Sequence, residues 1–215
     1  MALKVNEIFY SIQGESSWSG QPCVFIRLTG CNLRCAYCDT SYAYEQGRFM
    51  DITEILERVR RMRCDLVEVT GGEPLLQEET PRLVSRLLDK GFTVLMETNG
   101  SLDISRIDPR CIRIMDIKCP SSGEAERNDF ENLDRLTPSD ELKFVIGDRT
   151  DYEYAREVLQ RMDAKSIRMG HVHFAPVFGE ISPEVLASWI LEDHLPVRLS
   201  LQLHKLIWHP DERGV

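Results

Sequence analysis

The 215-residue chain contains no run of about 18 apolar residues, so no membrane-spanning helix and no membrane partner are expected. Met1 to Tyr10 lack the basic-then-apolar order of a secretion signal, and a cytoplasmic location is expected. Positive charge is in short supply: 26 Lys and Arg stand against 35 Asp and Glu, for a formal net charge of −9. Such a surface repels phosphate backbones, so no nucleic-acid partner is expected, although a local basic pocket stays open. Internal repeats, low-complexity tracts and linkers are missing, and residues 1–215 are expected to form a single domain around one core.

Cysteine, by contrast, is present seven times, at Cys23, Cys31, Cys35, Cys38, Cys64, Cys111 and Cys119. The number is odd and three of them crowd into eight residues, which in a reducing compartment points to metal binding or catalysis instead of disulfides.

Short β-branched runs alternate with helical patterns. Strands are expected at 23–29, 66–70, 93–97, 112–117, 142–146, 171–176 and 197–203, with helices at 51–62, 80–90, 152–162 and 183–191. Asp51 is placed to cap the first helix with Glu54 at its third position; Pro81 opens the second and Gly91 stops it. The polar stretch 120–138 reads as loop. This βα rhythm predicts a largely parallel sheet with right-handed crossovers. At 215 residues the chain is short for eight βα units, so an incomplete TIM-like α/β barrel is expected, with its site at the C-terminal strand ends.

Cys31-x3-Cys35-x2-Cys38 follows the first of these strands, with Gly30 at the turn. Three thiolates can hold three corners of a cubane cluster and leave one iron open, whereas electron carriers usually close all four corners with cysteine. The alternative is a structural zinc ion completed by Cys64 or a histidine, but zinc ligands usually come as two short pairs and only one triplet is present. Thr70-Gly71-Gly72-Glu73-Pro74, one βα unit later, is either an ordinary glycine turn or bare backbone able to approach a ligand's amine closely. On the strand 23–29, Phe25, Arg27 and Thr29 share a face. Arg27 is thus a mid-strand charge that needs a partner, either a carboxylate ligand or an internal acid such as Glu68. Glu68 and Thr70 likewise share a face, and Thr70 has good strand propensity in any case.

The triplet with aromatic Tyr37 between its last cysteines, followed by the Gly71-Gly72-Glu73 turn, resembles the radical S-adenosylmethionine superfamily. Phe9-Tyr10-Ser11-Ile12-Gln13-Gly14-Glu15, Arg27 and Cys38-Asp39-Thr40 narrow the resemblance to the 7-carboxy-7-deazaguanine synthases of 7-deazapurine (queuosine) formation. The likeness continues through Glu97-Thr98-Asn99-Gly100, Asp116-Ile117-Lys118 and Leu203-His204-Lys205, nearly the whole chain.

The resemblance implies a [4Fe-4S] cluster on Cys31, Cys35 and Cys38, and S-adenosylmethionine beside Tyr37, Asp39, Gly72, Asp116, Ile117 and Lys118. It implies Mg²⁺ on Thr40, which alone reads as a turn residue. Ile12, Gln13, Gly14, Glu15, Arg27 and Thr70 would bind a pterin substrate, with Glu97 and His204 as catalytic groups; His204 is placed at the end of the last strand, and His171 and His173 are left to packing. Ala175 departs from the polar residue that some relatives carry at that strand end, and the loop that runs on from Lys118 through Cys119-Pro120-Ser121-Ser122-Gly123 is one in which family members vary. The implied reaction starts with reductive cleavage of S-adenosylmethionine. A hydrogen atom then leaves C6 of 6-carboxy-5,6,7,8-tetrahydropterin, the ring contracts with loss of ammonia, and the cofactor is regenerated. A flavodoxin or ferredoxin as reductant and a homodimer are implied as well. Two other readings stand beside it: an activase for glycyl-radical enzymes, and a non-enzymatic zinc or iron–sulfur protein.

Overall fold

The computed structural model describes residues 2–164, 171–210 and 212–215. Its strands are β1 (Ala2–Ile12), β2 (Pro22–Leu28), β3 (Arg48–Asp51), β4 (Leu66–Gly71), β5 (Thr93–Thr98), β6 (Ile112–Ile117), β7 (Glu141–Ile146), β8 (His171–Pro176) and β9 (Arg198–Leu199). Its helices are α1 (Ile52–Arg61), α2 (Thr80–Asp89), α3 (Asn132–Arg135), α4 (Arg149–Ala164), α5 (Pro183–Glu192) and α6 (His204–Ile207). The described strands make one nine-stranded sheet in the order β3-β1-β2-β4-β5-β6-β7-β8-β9. From β2 to β9 every pairing is parallel; β1 runs antiparallel to both β2 and β3. The expected partial βα barrel is therefore present, with an antiparallel extension on one edge that the βα rhythm did not announce.

The reason β1 is hard to read lies in a bulge. Val5 sits opposite Leu28 and Glu7 opposite Arg27, with the register slipping between them. Val5 is buried in the core, whereas Glu7 and Phe9 share the face of Arg27 and Phe25. Without the extra residue Val5 and Glu7 would point the same way, so the slip erases the period-two pattern that identifies a strand.

The main core lies between the outer sheet face and the helices. α1 buries Ile52, Ile55 and Val59 there, and α2 buries Leu83, Val84 and Leu87. Asp51 precedes α1 in extended conformation but makes no side-chain cap; Glu54 pairs instead with Arg48 at 2.8 Å and Arg58 at 3.4 Å. Gly91 ends the α2 turn with φ of 87°, which favours glycine. A smaller cluster of Cys23, Phe25, Leu66, Leu95 and Ile114 closes the inner face near the start of the strands. The stretch 120–138 is irregular as expected, apart from two 3-10 turns and the short α3, whose Leu133 is buried.

The last strand is shorter than its sequence pattern. β9 pairs with β8 only at Arg198 and Leu199. Ser200 N–H still donates to Phe174 O at 2.9 Å, and the chain then turns inward, where Leu203 N–H donates to Gly14 O at 2.9 Å. His204 thus begins α6 and does not end a strand.

Candidate active site

One cavity of about 660 Å³ opens at the C-terminal ends of the parallel strands. Cys31, Cys35 and Cys38 line it, on the loop that leaves β2. All seven cysteines are free thiols. Leu33 N–H and Asn99 Nδ2 lie 3.5 and 3.8 Å from Cys31 Sγ, a donor set that suits a thiolate ligand. Gly71 and Gly72 press against this loop. A Cβ on Gly71 would stand 2.3 Å from Leu28 O, and one on Gly72 would stand 2.1 Å from Gly30 O and 2.7 Å from Cys31 Cβ. Only glycine allows that approach. Glu73 anchors the turn from behind, accepting from Leu75 N–H at 2.9 Å, Asn99 N–H at 2.7 Å and Thr98 Oγ1 at 3.0 Å. Burial pushes its carboxyl up to about 7, against the pull of those donors.

Around the mouth, Tyr37 reaches Val145 O at 3.4 Å. Lys118 Nζ bonds Asp116 Oδ2 at 2.6 Å, and the buried Asp116 Oδ1 has no hydrogen-bond partner among the described residues. Asp39 accepts from Lys205 Nζ at 2.6 Å and from Thr40 Oγ1 at 2.9 Å. Burial opposes its ionisation, but Lys205, Thr40 and His204 prevail and lower its pKa to about 2.

Deeper in, Arg27 donates through Nε to Glu7 Oε1 at 2.8 Å, so its internal acid is Glu7 and not Glu68. The guanidinium lies 5.7 Å from the Phe9 ring and 5.8 Å from the Tyr42 ring. Tyr42 OH also donates to Glu7 Oε1, at 2.9 Å. Glu68 instead accepts from Gln13 Nε2. Lys143, on the inner face of β7, donates to Glu97 and, at 2.9 Å, to Glu15 Oε2, while Thr70 Oγ1 reaches Glu97 Oε2 at 3.2 Å. Burial resists a charge on Glu15, yet Lys143 and Gln202 hold its carboxyl down at about 2. Lys143 rises well above the ordinary lysine range because Glu15, Glu97 and Asp116 outweigh its burial. His204 packs where a Cβ on Gly14 would fall, 2.2 Å from its Nδ1. Burial lowers its pKa despite Glu15 and Asp39, which leaves it neutral at neutral pH.

Ile12, Gln13, Gly14, Glu15, Arg27, Tyr37, Asp39, Thr40, Thr70, Gly72, Glu97, Asp116, Lys118 and His204 thus line the same cavity as the three cysteines. Ile117 does not: it alternates away from Asp116 and is fully buried in the main core. Sequence reasoning missed Lys143, Glu7 and Tyr42; it set Glu68 on the face of Thr70, but only as a possible partner for Arg27. Period-two alternation along β4 and β7 is the signal that reaches Glu68 and Lys143. The bulge in β1 hides Glu7.

Comparison with known proteins gives this geometry a family. A model of the Radical SAM superfamily matches residues 25–187. A 7-carboxy-7-deazaguanine synthase of Koribacter versatilis is 46% identical, over 99% of this chain and 100% of the relative. One from Chlorobaculum tepidum is 49% identical, over 99% and 97%. The chain belongs to the 7-carboxy-7-deazaguanine synthase family. Among solved structures, QueE from Escherichia coli matches with a TM-score of 0.79 at 24% identity, over 95% of both chains, a likeness of fold. Streptococcus suis SuiB bound to S-adenosylmethionine gives a TM-score of 0.54 at 12% identity, over 80% of this chain and 45% of that one. As a radical S-adenosylmethionine protein, a 7-carboxy-7-deazaguanine synthase family member takes a [4Fe-4S] cluster and S-adenosylmethionine. The residues fit that pair. Three cavity-lining thiols share one loop, with donors aimed at a sulfur and a glycine cradle beside them.

Proposed function

We propose that this cavity converts 6-carboxy-5,6,7,8-tetrahydropterin to 7-carboxy-7-deazaguanine with loss of ammonia. The observation that carries the reading is the meeting, in one cavity, of the cysteine triplet and of Arg27. Cys31, Cys35 and Cys38 would hold the cluster, and Gly72, Tyr37, Asp39, Asp116 and Lys118 would hold S-adenosylmethionine. When bound, the cluster and S-adenosylmethionine supply a carbon-centred radical that removes a hydrogen atom from the substrate.

The chain's own residues do the rest. Arg27 faces the substrate carboxylate, its Nε already committed to Glu7 and its orientation fixed between two rings. Thr40 offers a hard oxygen for Mg²⁺, whose shell water and the substrate carboxylate would complete, and Asp39 accepts from its hydroxyl. Ile12, Gln13 and Gly14 line the inner end of the cavity, where the pterin edge would lie, and Thr70 stands beside Glu97. Neutral His204 and ionised Glu15 are proton acceptors within the same enclosure. Lys143 keeps Glu15 and Glu97 in place, and the buried walls keep water from the radical.

The same reading includes a flavodoxin or ferredoxin as electron donor, a homodimer, a single domain over residues 1–215 and a cytoplasmic setting. No described helix is long and apolar enough to cross a membrane. The test is anaerobic turnover of reconstituted protein with the pterin, S-adenosylmethionine, Mg²⁺ and a reductant, followed by mass spectrometry. Formation of 7-carboxy-7-deazaguanine with S-adenosylmethionine conserved is the expected result. Cleavage of S-adenosylmethionine without that product would reject this substrate.

A further inference from the structure

The inner face of β4 carries Leu66, Glu68 and Thr70 in order from the closed end of the cavity to its mouth. Leu66 belongs to the apolar floor, together with Cys23, Phe25, Leu95 and Ile114. Glu68 is therefore a carboxyl set directly above an apolar floor, and only 4% of its surface is exposed. Across the sheet, Arg27 is in register with Thr70 and Phe25 with Glu68. Arg27 and Glu68 consequently stand one inner-face step apart along the strand direction, about 6.6 Å from the rise of two residues. A bicyclic pterin with a carboxylate at one end of its long axis spans that step and puts its 2-amino end near Glu68.

A buried carboxyl needs a stated job, because desolvating it without a partner is expensive. Glu68 has a single donor, Gln13 Nε2, among the hydrogen bonds of the described residues. The one ammonium in the neighbourhood, Lys143, is occupied by Glu15 and Glu97 and bonds neither oxygen of Glu68. We propose that Glu68 is the residue that selects a 2-aminopyrimidine ring in the substrate, pairing its carboxyl with the 2-amino group and the adjacent ring nitrogen. This rests on the proposed pterin reading and adds a residue to it. Three carboxyls, Glu15, Glu68 and Glu97, share that one lysine, so the carboxyl farthest from it is the one that keeps its proton. Burial, and then the charge on Glu97, raise Glu68 well above the usual carboxylate range. A protonated carboxyl presents a donor and an acceptor side by side, the complement of a ring nitrogen next to an amino group.

The test is equilibrium binding, without turnover, to the cluster-loaded protein under anaerobic conditions. Pterin-6-carboxylate is titrated by its own fluorescence, against lumazine-6-carboxylate, which has oxygen in place of the 2-amino group, and against pterin, which lacks the carboxylate. Wild type is expected to prefer the amino compound over the lumazine by at least about tenfold, the worth of one unmade buried hydrogen bond. Glu68→Ala should bring that ratio close to one and leave the preference for the 6-carboxylate, which belongs to Arg27, intact. Glu68→Gln also offers a donor and an acceptor and should keep most of the amino preference; loss equal to that of the alanine variant would overturn the protonated pairing. A Glu68→Ala protein with the same iron content that retains the full preference would overturn the assignment. A wild type that binds pterin-6-carboxylate but does not distinguish the lumazine would do the same and leave the pterin reading standing. A wild type that binds neither acid would reject both.

Discussion

At the scale of single residues, the site is a set of charges placed where their cost must be met. Arg27 was legible as such a charge from its place in the strand, because a mid-strand guanidinium calls for a partner. Glu7 was not legible as that partner, since the parity of β1 changes at the bulge between Val5 and Glu7. Lys143 escaped for a different reason. A lysine among apolar strand neighbours reads as a solvent-facing residue, and only the closing of the sheet turns it toward Glu15 and Glu97. The resemblance covers Asp116-Ile117-Lys118 as one block, yet adjacent strand residues face opposite ways, and the Ile117 side chain is buried in the core. The split of roles at Arg27 gives a prediction. Glu7 takes Nε and the flanking rings fix the plane, so removing the guanidinium should leave the cluster intact and strip recognition of the substrate carboxylate. Arg27→Ala is expected to weaken binding of pterin-6-carboxylate by roughly 2–5 kcal/mol, the range for truncating one member of a buried charge pair. Unchanged affinity in a fluorescence titration would remove Arg27 from the carboxylate subsite.

At the scale of elements, most βα units could be read from periodicity, and their bounds differ from the pattern by a few residues. The failures sit where an element depends on something distant. The pattern over 197–203 is strand-like, but β9 is an edge and its chain is drawn inward by the bond from Leu203 N–H to Gly14 O. That bond places His204 against the Gly14 segment, so two site segments nearly 190 residues apart in sequence are joined by backbone. The two loops at the mouth depend on each other in the same way. Gly72 permits contact with Gly30 and Cys31 that any side chain would block, and the two nearest blocking atoms are the Gly30 backbone carbonyl, which cannot swing aside. Gly72→Ala is therefore expected to shift the cysteine loop and leave β4 and α2 in place. Iron and sulfide content after reconstitution should fall severalfold, while far-ultraviolet circular dichroism stays the same. Full cluster loading in this variant would show that the cradle is dispensable.

At the scale of the whole molecule, acid and base stability reflect opposing groups of carboxyls. Glu15 and Asp39 fall to about 2 from ordinary values of 4.5 and 3.8. Their stabilisation is complete above the unfolded values and is lost as pH drops toward 2. Glu73 does the reverse. Its carboxyl rises from 4.5 to about 7, so the folded state holds the proton more tightly, and the benefit present below pH 4.5 is lost as pH climbs through 7. His204, whose pKa is lowered, adds a slope of opposite sign below 6.5. A single stability curve would mix these terms, but comparing wild type with Glu73→Gln cancels all but one. The amide cannot ionise; its single oxygen accepts from only one of the Asn99 and Leu75 N–H groups, a loss that shifts the variant by the same amount at every pH. In cluster-free protein, the stability of wild type relative to Glu73→Gln should fall by roughly 3 kcal/mol between pH 4.5 and 7, at about 1.4 kcal/mol per pKa unit. Denaturant unfolding at a series of pH values measures it. Parallel curves would mean that the Glu73 carboxyl is already ionised in the folded state at mildly acidic pH, with the N–H groups of Asn99 and Leu75 and the Thr98 hydroxyl outweighing the loss of water.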